Sequence, residues 1–357
     1  MTDSDTLTIE INDQKITCEK GESIIDIADR HGIPIPRFCY HPKLSVVASC
    51  RMCLVDVESS NKPLPACKTQ VQDGMKIHTR SDKAIESQQA IMEFLLINHP
   101  LDCPICDQAG ECELQDVSMG FGFGESNYRQ SKRVVKDEDL GPLIATDMTR
   151  CIHCSRCVRF GDEVGGMPEL GLVDRGGQTK ISTYLEKTLQ SEMSGNMIDL
   201  CPVGAITSKP HRYIGRSWSY KQHASISPHD CVGSHLYYHS ADEKSQSQLS
   251  ITRVVPKPCE PINENWLSNR DRFSYLGIEH EDRIKTPMIK RSDTWVEVDW
   301  SEALHQVNKI LQTQSSQSIY GMMSPTATIE EMYLFRQWLE LFGCYHFDHR
   351  LKETDFD

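Results

Sequence analysis

Apolar and polar positions alternate from residue 6 to residue 18 on either side of Asn12 and Asp13, a period-two pattern that predicts a β-hairpin. A short helix is expected near Ser23 to His31, followed by strand-like segments at 54–57 (LVDV) and around Met75 to His78. From Ser81 to Asn98 the period changes. Ile85, Ile91, Met92, Leu95 and Leu96 recur at near-helical spacing, and Ser81 is placed to cap the first turn. Little periodicity survives between 99 and 142, a stretch rich in Gly, Asp and Glu. Short strands are expected at 143–147, 172–174 and 180–183, the last two flanking a Gly176 and Gly177 turn. Two amphipathic helices are predicted at 300–312 and 329–342, each opening on the pattern of a capping box, Asp299 with Glu302 and Thr328 with Glu331. The stretch SIYGMM at 318–323 reads as the first β–α step of a larger α/β domain. The sequence stops before such a sheet could be completed, so a fragment of a longer protein is expected.

Composition narrows the class. At 357 residues the chain has room for two or three domains with cores of their own. Its 51 acidic and 38 basic side chains give a formal charge of −13, which argues against a nucleic-acid partner. No basic-then-apolar leader opens the sequence, and no apolar run approaches the roughly 20 residues needed to cross a bilayer, so a soluble, cytosolic chain is expected. Of 15 cysteines, eleven fall in spaced groups before residue 202, and without a secretion signal these read as metal ligands rather than disulfides.

Three ligand sets emerge. Iron–sulfur clusters need thiolates on loops whose backbone N–H groups can face the sulfurs. The first set is Cys39, Cys50, Cys53 and Cys67, where CRMC supplies a chelating pair. A [2Fe-2S] cluster fits best, although ten residues separate the first two cysteines where the plant-type pattern has four, and structural zinc remains the alternative. The second set, HPLDCPICDQAGEC, offers only Cys103, Cys106 and Cys112. His99 is the natural fourth ligand, with Asp102, Asp107 and Glu111 also in reach, and a neutral imidazole in place of a thiolate should raise the potential of a cluster there. The third set is the most specific: CIHCSRC at 151–157 and CP at 201–202 form the CxxCxxC and Cys-Pro arrangement of a ferredoxin [4Fe-4S] site. Its ligands are Cys151, Cys154, Cys157 and Cys201, and Gly161 stands where a second cluster would need a cysteine. Arg150, Arg156 and Arg159 crowd this set, either balancing cluster charge or forming a solvated basic face.

Through the segments PRFCYHPKL, SCRMCLVDV, NHPLDCPICDQAGECELQD, KRVV, LGPLI, TRCIHCSRCVRF and GNMIDLCPVGAIT, the first 217 residues resemble the large iron–sulfur subunit of respiratory complex I. The resemblance implies an α+β chain. A β-grasp [2Fe-2S] ferredoxin domain would occupy residues 1–80, a [4Fe-4S] segment with one histidine and three cysteine ligands 81–140, and a bacterial-ferredoxin-like [4Fe-4S] domain 141–217. Residues 218–357, through NRDRFSYLGIEHEDRIKTPMIKRSDTWVEVDWSEAL, are similar to the start of a molybdopterin-oxidoreductase-like α/β domain, retained in that family without its cofactor. In the family the histidine of the second segment is a ligand, which supports His99. A further cluster found in some members would fall on Ser227, Asp230, Ser234 and Ser268, none of them cysteine, so it is expected to be absent. The implied role is electron relay in a proton-translocating NADH:quinone oxidoreductase. The implied partners are a flavin- and NADH-binding subunit and other peripheral-arm subunits, with the membrane arm reached only indirectly, on the cytoplasmic side of a bacterial inner membrane.

No flavin, NAD or molybdopterin fingerprint is evident in the chain, and no catalytic residue is expected. GFGFG at 120–124 follows no strand and opens no helix, so it reads as a loop beside the second set rather than a nucleotide loop. His153 lies inside a set already filled by four cysteines, and Cys18, Cys231, Cys259 and Cys344 are isolated thiols. Two alternatives stand beside the main reading: the electron-transfer subunit of an NAD-linked hydrogenase or formate dehydrogenase, and a zinc-stapled interaction protein without redox chemistry.

Overall fold

The computed structural model describes residues 6–168, 170–183, 188–242, 249–278 and 280–349; the end of the expected last domain, 350–357, lies outside them. The chain divides into two compact units, one of residues 1–222 and 239–252, the other of 223–238 and 253–357.

The first unit opens with the expected hairpin, β1 (Thr6–Ile11) and β2 (Gln14–Glu19), paired from Thr6 opposite Glu19 to Ile11 opposite Gln14. Asn12 and Asp13 have φ of 47° and 65°, the left-handed pair that a tight two-residue turn between twisted strands requires. Helix α1 (Ile24–Arg30) is capped by Ser23, whose side chain accepts from the Asp26 N–H. Strands β3 (Leu54–Val57), β4 (Leu64–Pro65) and β5 (Lys76–His78) complete a sheet of order β2-β1-β5-β3-β4, in which β1 and β5 run parallel. Alternation sends Ile9, Ile11, Ile16, Val55, Val57 and Ile77 into one core with Ile24, Ile25, Ile27 and Ala28 of α1. Each such branched side chain contributes roughly 1.5–3 kcal/mol over its exposed state. The result is a sheet grasping one helix.

Helix α2 (Asp82–Leu96) is capped by Ser81 as expected, but its buried seam is Ala84, Gln88 and Met92, while Ile85 is exposed. The face is turned by a polar contact, because the buried Gln88 amide donates to the Leu54 carbonyl at 2.9 Å and anchors the helix to β3. Helix α3 (Glu113–Phe121) runs into GFGFG, so Gly120 and Phe121 are helical rather than loop. The helix stops at Gly122, where a Cβ would lie 2.6 Å from the Ser118 carbonyl oxygen.

Beyond it, β6 (Ile144–Thr146) pairs with β9 (Ile206–Ser208), and β7 (Leu170–Val173) pairs with β8 (Lys180–Thr183) around the expected glycine turn. Two short helices, α4 (Arg156–Phe160) and α5 (Asn196–Leu200), carry the intervening chain. Strands β10 (Lys221–Ile226), β11 (His235–Asp242) and β12 (Leu249–Pro256) follow.

In the second unit a short helix, α6 (Asn269–Phe273), is followed by a hairpin of β13 (Met288–Arg291) and β14 (Thr294–Glu297) that leads into α7 (Trp300–Thr313). Strands β15 (Gly321–Met322) and β16 (Phe347–Asp348) pair in parallel and are joined through α8 (Ile329–Glu340), a βαβ step built over Ile319, Leu339 and Cys344. Thr328 and Glu331 form the full capping box of α8. Only half of the box expected at α7 forms. Asp299 accepts from the Glu302 N–H, but the Glu302 carboxylate is taken by Arg291. No helix among the described residues is long and apolar enough to cross a membrane.

Candidate metal centres

All three ligand sets lie in the first unit. The first occupies the long connection between α1 and β3 and the turn after β4, with Cys39, Cys50, Cys53 and Cys67 all buried. The loop closes on itself through Ala48 and Arg51, at φ of 51° and 61°. Left-handed backbone at residues with a Cβ is uncommon, and it turns successive N–H groups toward one side, as an anionic centre requires. The Cys39 N–H donates to Cys50 Sγ at 3.4 Å. The Cys39 thiol contacts those of Cys50 and Cys67, and Cys53 contacts Cys67, which favours thiolate on Cys39 and Cys53 and holds the proton on Cys50 and Cys67. Four sulfurs linked in this run of contacts are a donor set that iron can take over by displacing protons.

The third set lies among apolar side chains. Cys151, Cys154, Cys157 and Cys201 line one small space with Met148, Ile152, Ser155, Ile181, Val203, Ala205 and Ile206. His153 and Ser155 within CIHCSRC are again left-handed, at φ of 53° and 59°. Backbone N–H groups reach the sulfurs: that of His153 to Cys151 at 3.4 Å, that of Arg156 to Cys154, and those of Val203, Ala205 and Ile206 to Cys201. Burial pushes Cys151 up to about 11 and Cys154 and Cys201 up to about 12, so these thiols are neutral until a metal takes them.

The second set differs in its walls. His99, Asp102, Cys103, Cys106, Ala109, Cys112, Gln115, Arg150 and Gly204 line one small space. His99 follows α2, and the ammonium of Lys132 fastens its loop by donating to the carbonyls of Leu96, Ile97 and His99 at 3.0, 3.0 and 2.8 Å. Among the described residues its Nδ1 is buried without a partner, while the ring's other nitrogen bonds the Arg150 carbonyl. A metal-bound histidine has this form, one nitrogen held by a carbonyl and the other left for the metal. Burial pushes the imidazole down to about 4, which keeps it neutral. The rival oxygen ligands are otherwise disposed: the Asp102 carboxylate pairs with Arg150 at 3.1 Å, Asp107 accepts from the Tyr213 N–H at 3.0 Å, and neither Asp107 nor Glu111 lines the space.

The arginines are not a solvated face. Arg150, expected beside the third set, turns its side chain into the second, bonding Asp102, Asp147 and the Gly204 carbonyl. Arg159 donates to the carbonyls of Cys39 and Cys154, at 2.5 and 3.3 Å, and so joins the first set to the third. Arg156 is buried and pairs with Glu113. His153 is half-buried with its Nε2 beside Arg133, whose guanidinium also donates to the Gly177 and Thr179 carbonyls. Sequence reasoning missed Lys132 and Gly204. A Cβ on Gly204 would collide with Cys106 Sγ, a close approach that no local sequence signal announces.

In the second unit, the Ser227 N–H donates to the Ser234 carbonyl, its hydroxyl bonds the buried Asp271, and Ser268 accepts from the Asp271 N–H at 3.1 Å. Asp230 accepts from the Val232 N–H, and Cys231 is exposed.

Family models match along the chain. A 2Fe-2S iron–sulfur cluster binding domain matches residues 4–82, and the NADH-ubiquinone oxidoreductase-G iron–sulfur binding region matches 88–127. The ferredoxin-like domain of NADH-quinone oxidoreductase subunit 3 matches 141–207. An NDSU1/NuoG-like 4Fe-4S domain matches 220–276, a stretch whose cysteines are Cys231 and Cys259, and molybdopterin oxidoreductase matches 283–355. The fold is thus a 2Fe-2S ferredoxin domain, 4Fe-4S regions and the start of a molybdopterin-oxidoreductase domain.

The NuoG-type NADH-quinone oxidoreductase subunit of Rickettsia bellii is 40% identical over 98% of this chain and 51% of its own length. The NADH-ubiquinone oxidoreductase 75 kDa subunit of Reclinomonas americana is 45% identical over 92% of this chain and 47% of its own. The chain therefore spans about half the length of the curated relatives it matches. Among solved structures, an NAD+-reducing [NiFe]-hydrogenase in the H2-reduced state shares the fold, with a TM-score of 0.54 and 24% identity over 58% of this chain and 90% of the hydrogenase chain. Identity held at 40% and 45% across nearly all of its residues places the chain in the NuoG family of NADH-quinone oxidoreductase subunits, that of the 75 kDa iron–sulfur subunit.

Proposed function

We propose that this chain is an electron relay of NADH:quinone oxidoreductase, a proton-translocating complex, and that it holds three clusters. A [2Fe-2S] cluster is held by Cys39, Cys50, Cys53 and Cys67. One [4Fe-4S] cluster is held by His99, Cys103, Cys106 and Cys112, and another by Cys151, Cys154, Cys157 and Cys201. The four domains fall at 1–80, 81–140, 141–217 and 218–357. The clusters, when bound, accept and release single electrons. The polypeptide supplies buried thiols, N–H groups aimed at sulfur and fixed cations, with no acid, base or nucleophile required.

The observation that carries this reading is the joining of three separate donor sets within one unit. Arg159 ties the first to the third through the Cys39 and Cys154 carbonyls. The third meets the second through the residues after Cys201: the Pro202 carbonyl accepts from the Cys112 thiol at 3.7 Å, and Gly204 abuts Cys106. The third site is therefore the middle station. Residues 220–276 hold no fourth cluster in this reading, since two cysteines make no quartet and the positions expected to ligate it are Ser227, Asp230, Ser234 and Ser268.

Neither flavin nor molybdopterin is bound by this chain. Its partners are a flavin- and NADH-binding subunit, other peripheral-arm subunits and, indirectly, a membrane arm, on the cytoplasmic side of the bacterial inner membrane. The hydrogenase likeness speaks to fold alone. Iron and acid-labile sulfide analysis of the purified chain, with redox-titrated EPR, tests the proposal. Three signals, one [2Fe-2S] and two [4Fe-4S], are expected, and zinc without sulfide would overturn it.

A further inference from the structure

Arg156 is 5% exposed, and its guanidinium is shared among three stretches of chain. It forms a two-point pair with Glu113, at 2.7 and 3.1 Å, donates to the Tyr40 carbonyl at 3.0 Å, and donates to the Leu200 carbonyl at 3.4 Å. Each of these residues adjoins a different proposed ligand: Tyr40 follows Cys39 of the first set, Glu113 follows Cys112 of the second, and Leu200 precedes Cys201 of the third. Arg156 itself sits between Cys154 and Cys157, and its own backbone N–H faces the Cys154 sulfur.

We propose that Arg156 is the positioning residue that registers the three clusters against one another, and that its charge raises the reduction potential of the third. The inference rests on the three-cluster reading above. A planar fork with five donors can serve four acceptor atoms on three stretches of chain, which an ammonium on a flexible stem cannot do with fixed geometry. The charge lies against the third set, because Arg156 sits between Cys154 and Cys157 and its guanidinium donates to the carbonyl of Leu200, the residue before Cys201. Its Nε–H is buried with no partner among the described residues, an unspent donor on a side chain whose other nitrogens are all bonded. The Glu113 carboxylate offsets that charge and is half open to solvent, so the two side chains should act on the third cluster with opposite sign.

The test uses the full chain with its clusters reconstituted, comparing Arg156→Gln, Arg156→Lys and Glu113→Gln. Arg156→Gln is expected to lower the midpoint potential of the third cluster more than those of the other two, and to weaken the spin–spin interaction between reduced clusters. Arg156→Lys should recover the potential without recovering the spin–spin interaction. Glu113→Gln should shift the third potential upward. A purely structural role predicts shifts of one sign in the Arg156→Gln and Glu113→Gln chains alike, and that result, or no shift in either, overturns the proposal. Where Arg156→Gln fails to retain its clusters, Glu113→Gln decides alone: a rise supports the assignment and its absence sinks it. Absence of [4Fe-4S] signals from the wild-type chain would instead refute the cluster reading itself.

Discussion

The second and third sites are close neighbours, yet they differ in what surrounds the sulfur. Four thiols face apolar side chains in the third, whereas the second mixes three thiols with an imidazole, an amide, a carboxylate and a guanidinium. Cys103 is exposed, while Cys154, Cys157 and Cys201 are buried. Potential depends on the net charge of the cluster, on hydrogen bonds to sulfur and on burial, and the two sites diverge in all three. One polypeptide would thus separate the two proposed cluster sites by their walls.

That contrast can be broken most severely at its dry side. Cys154→Ser should remove the third cluster, with roughly four irons lost per chain in metal analysis, and leave the second cluster's EPR signal in place. A loss of both signals would show that the sites are not independent folding units.

The polar side is sharpened by His99. With alanine there, release of the second cluster to a chelator should be at least about 10-fold faster. With cysteine there, the cluster should persist at a lower potential, because a thiolate adds negative charge. Chelator kinetics and redox titration give both answers, and wild-type behaviour from both variants refutes the ligand assignment.

A smaller effect is expected from Gly204→Ala, whose new methyl group would press on Cys106 Sγ. Overpacking of this kind costs about 1–3 kcal/mol. The second signal should broaden or weaken while the third is retained.

The mildest consequence concerns the cluster-free chain. Cys154 and Cys201 are raised in the fold to about 12 from an ordinary value of 9.0. The folded state therefore favours the neutral thiol, a stabilisation complete below about pH 9 and lost as pH rises toward 12. Denaturant midpoints measured across that window should fall with pH, and Cys154→Ala should flatten the fall.

Much of this was legible beforehand because it is local. The Asn12 and Asp13 turn, the caps at Ser23 and Ser81, and the CxxCxxC spacing are set by residues within a few positions of one another. What escaped depends on direction and distance. Arg150 adjoins Cys151 in sequence, but its side chain leaves toward Asp102 and Gly204, and adjacency cannot tell which way a long side chain turns. The face of α2 was displaced by a single amide bonded to a distant strand, and half of the α7 capping box was lost to a competing arginine. Gly204 looked ordinary until Cys106, ninety-eight positions earlier, was seen against it.

The left-handed residues of the ligand loops, Ala48, Arg51, His153 and Ser155, carry a further consequence. Each holds a side chain in a conformation that costs energy unless its surroundings enforce it, so these loops are braced rather than pliant. In the relay proposed above, braced dipoles and sulfur donors would have little room to rearrange on arrival of an electron, which would keep the nuclear reorganisation of each transfer small. Stiffness in the backbone would in this sense be a kinetic property of that relay.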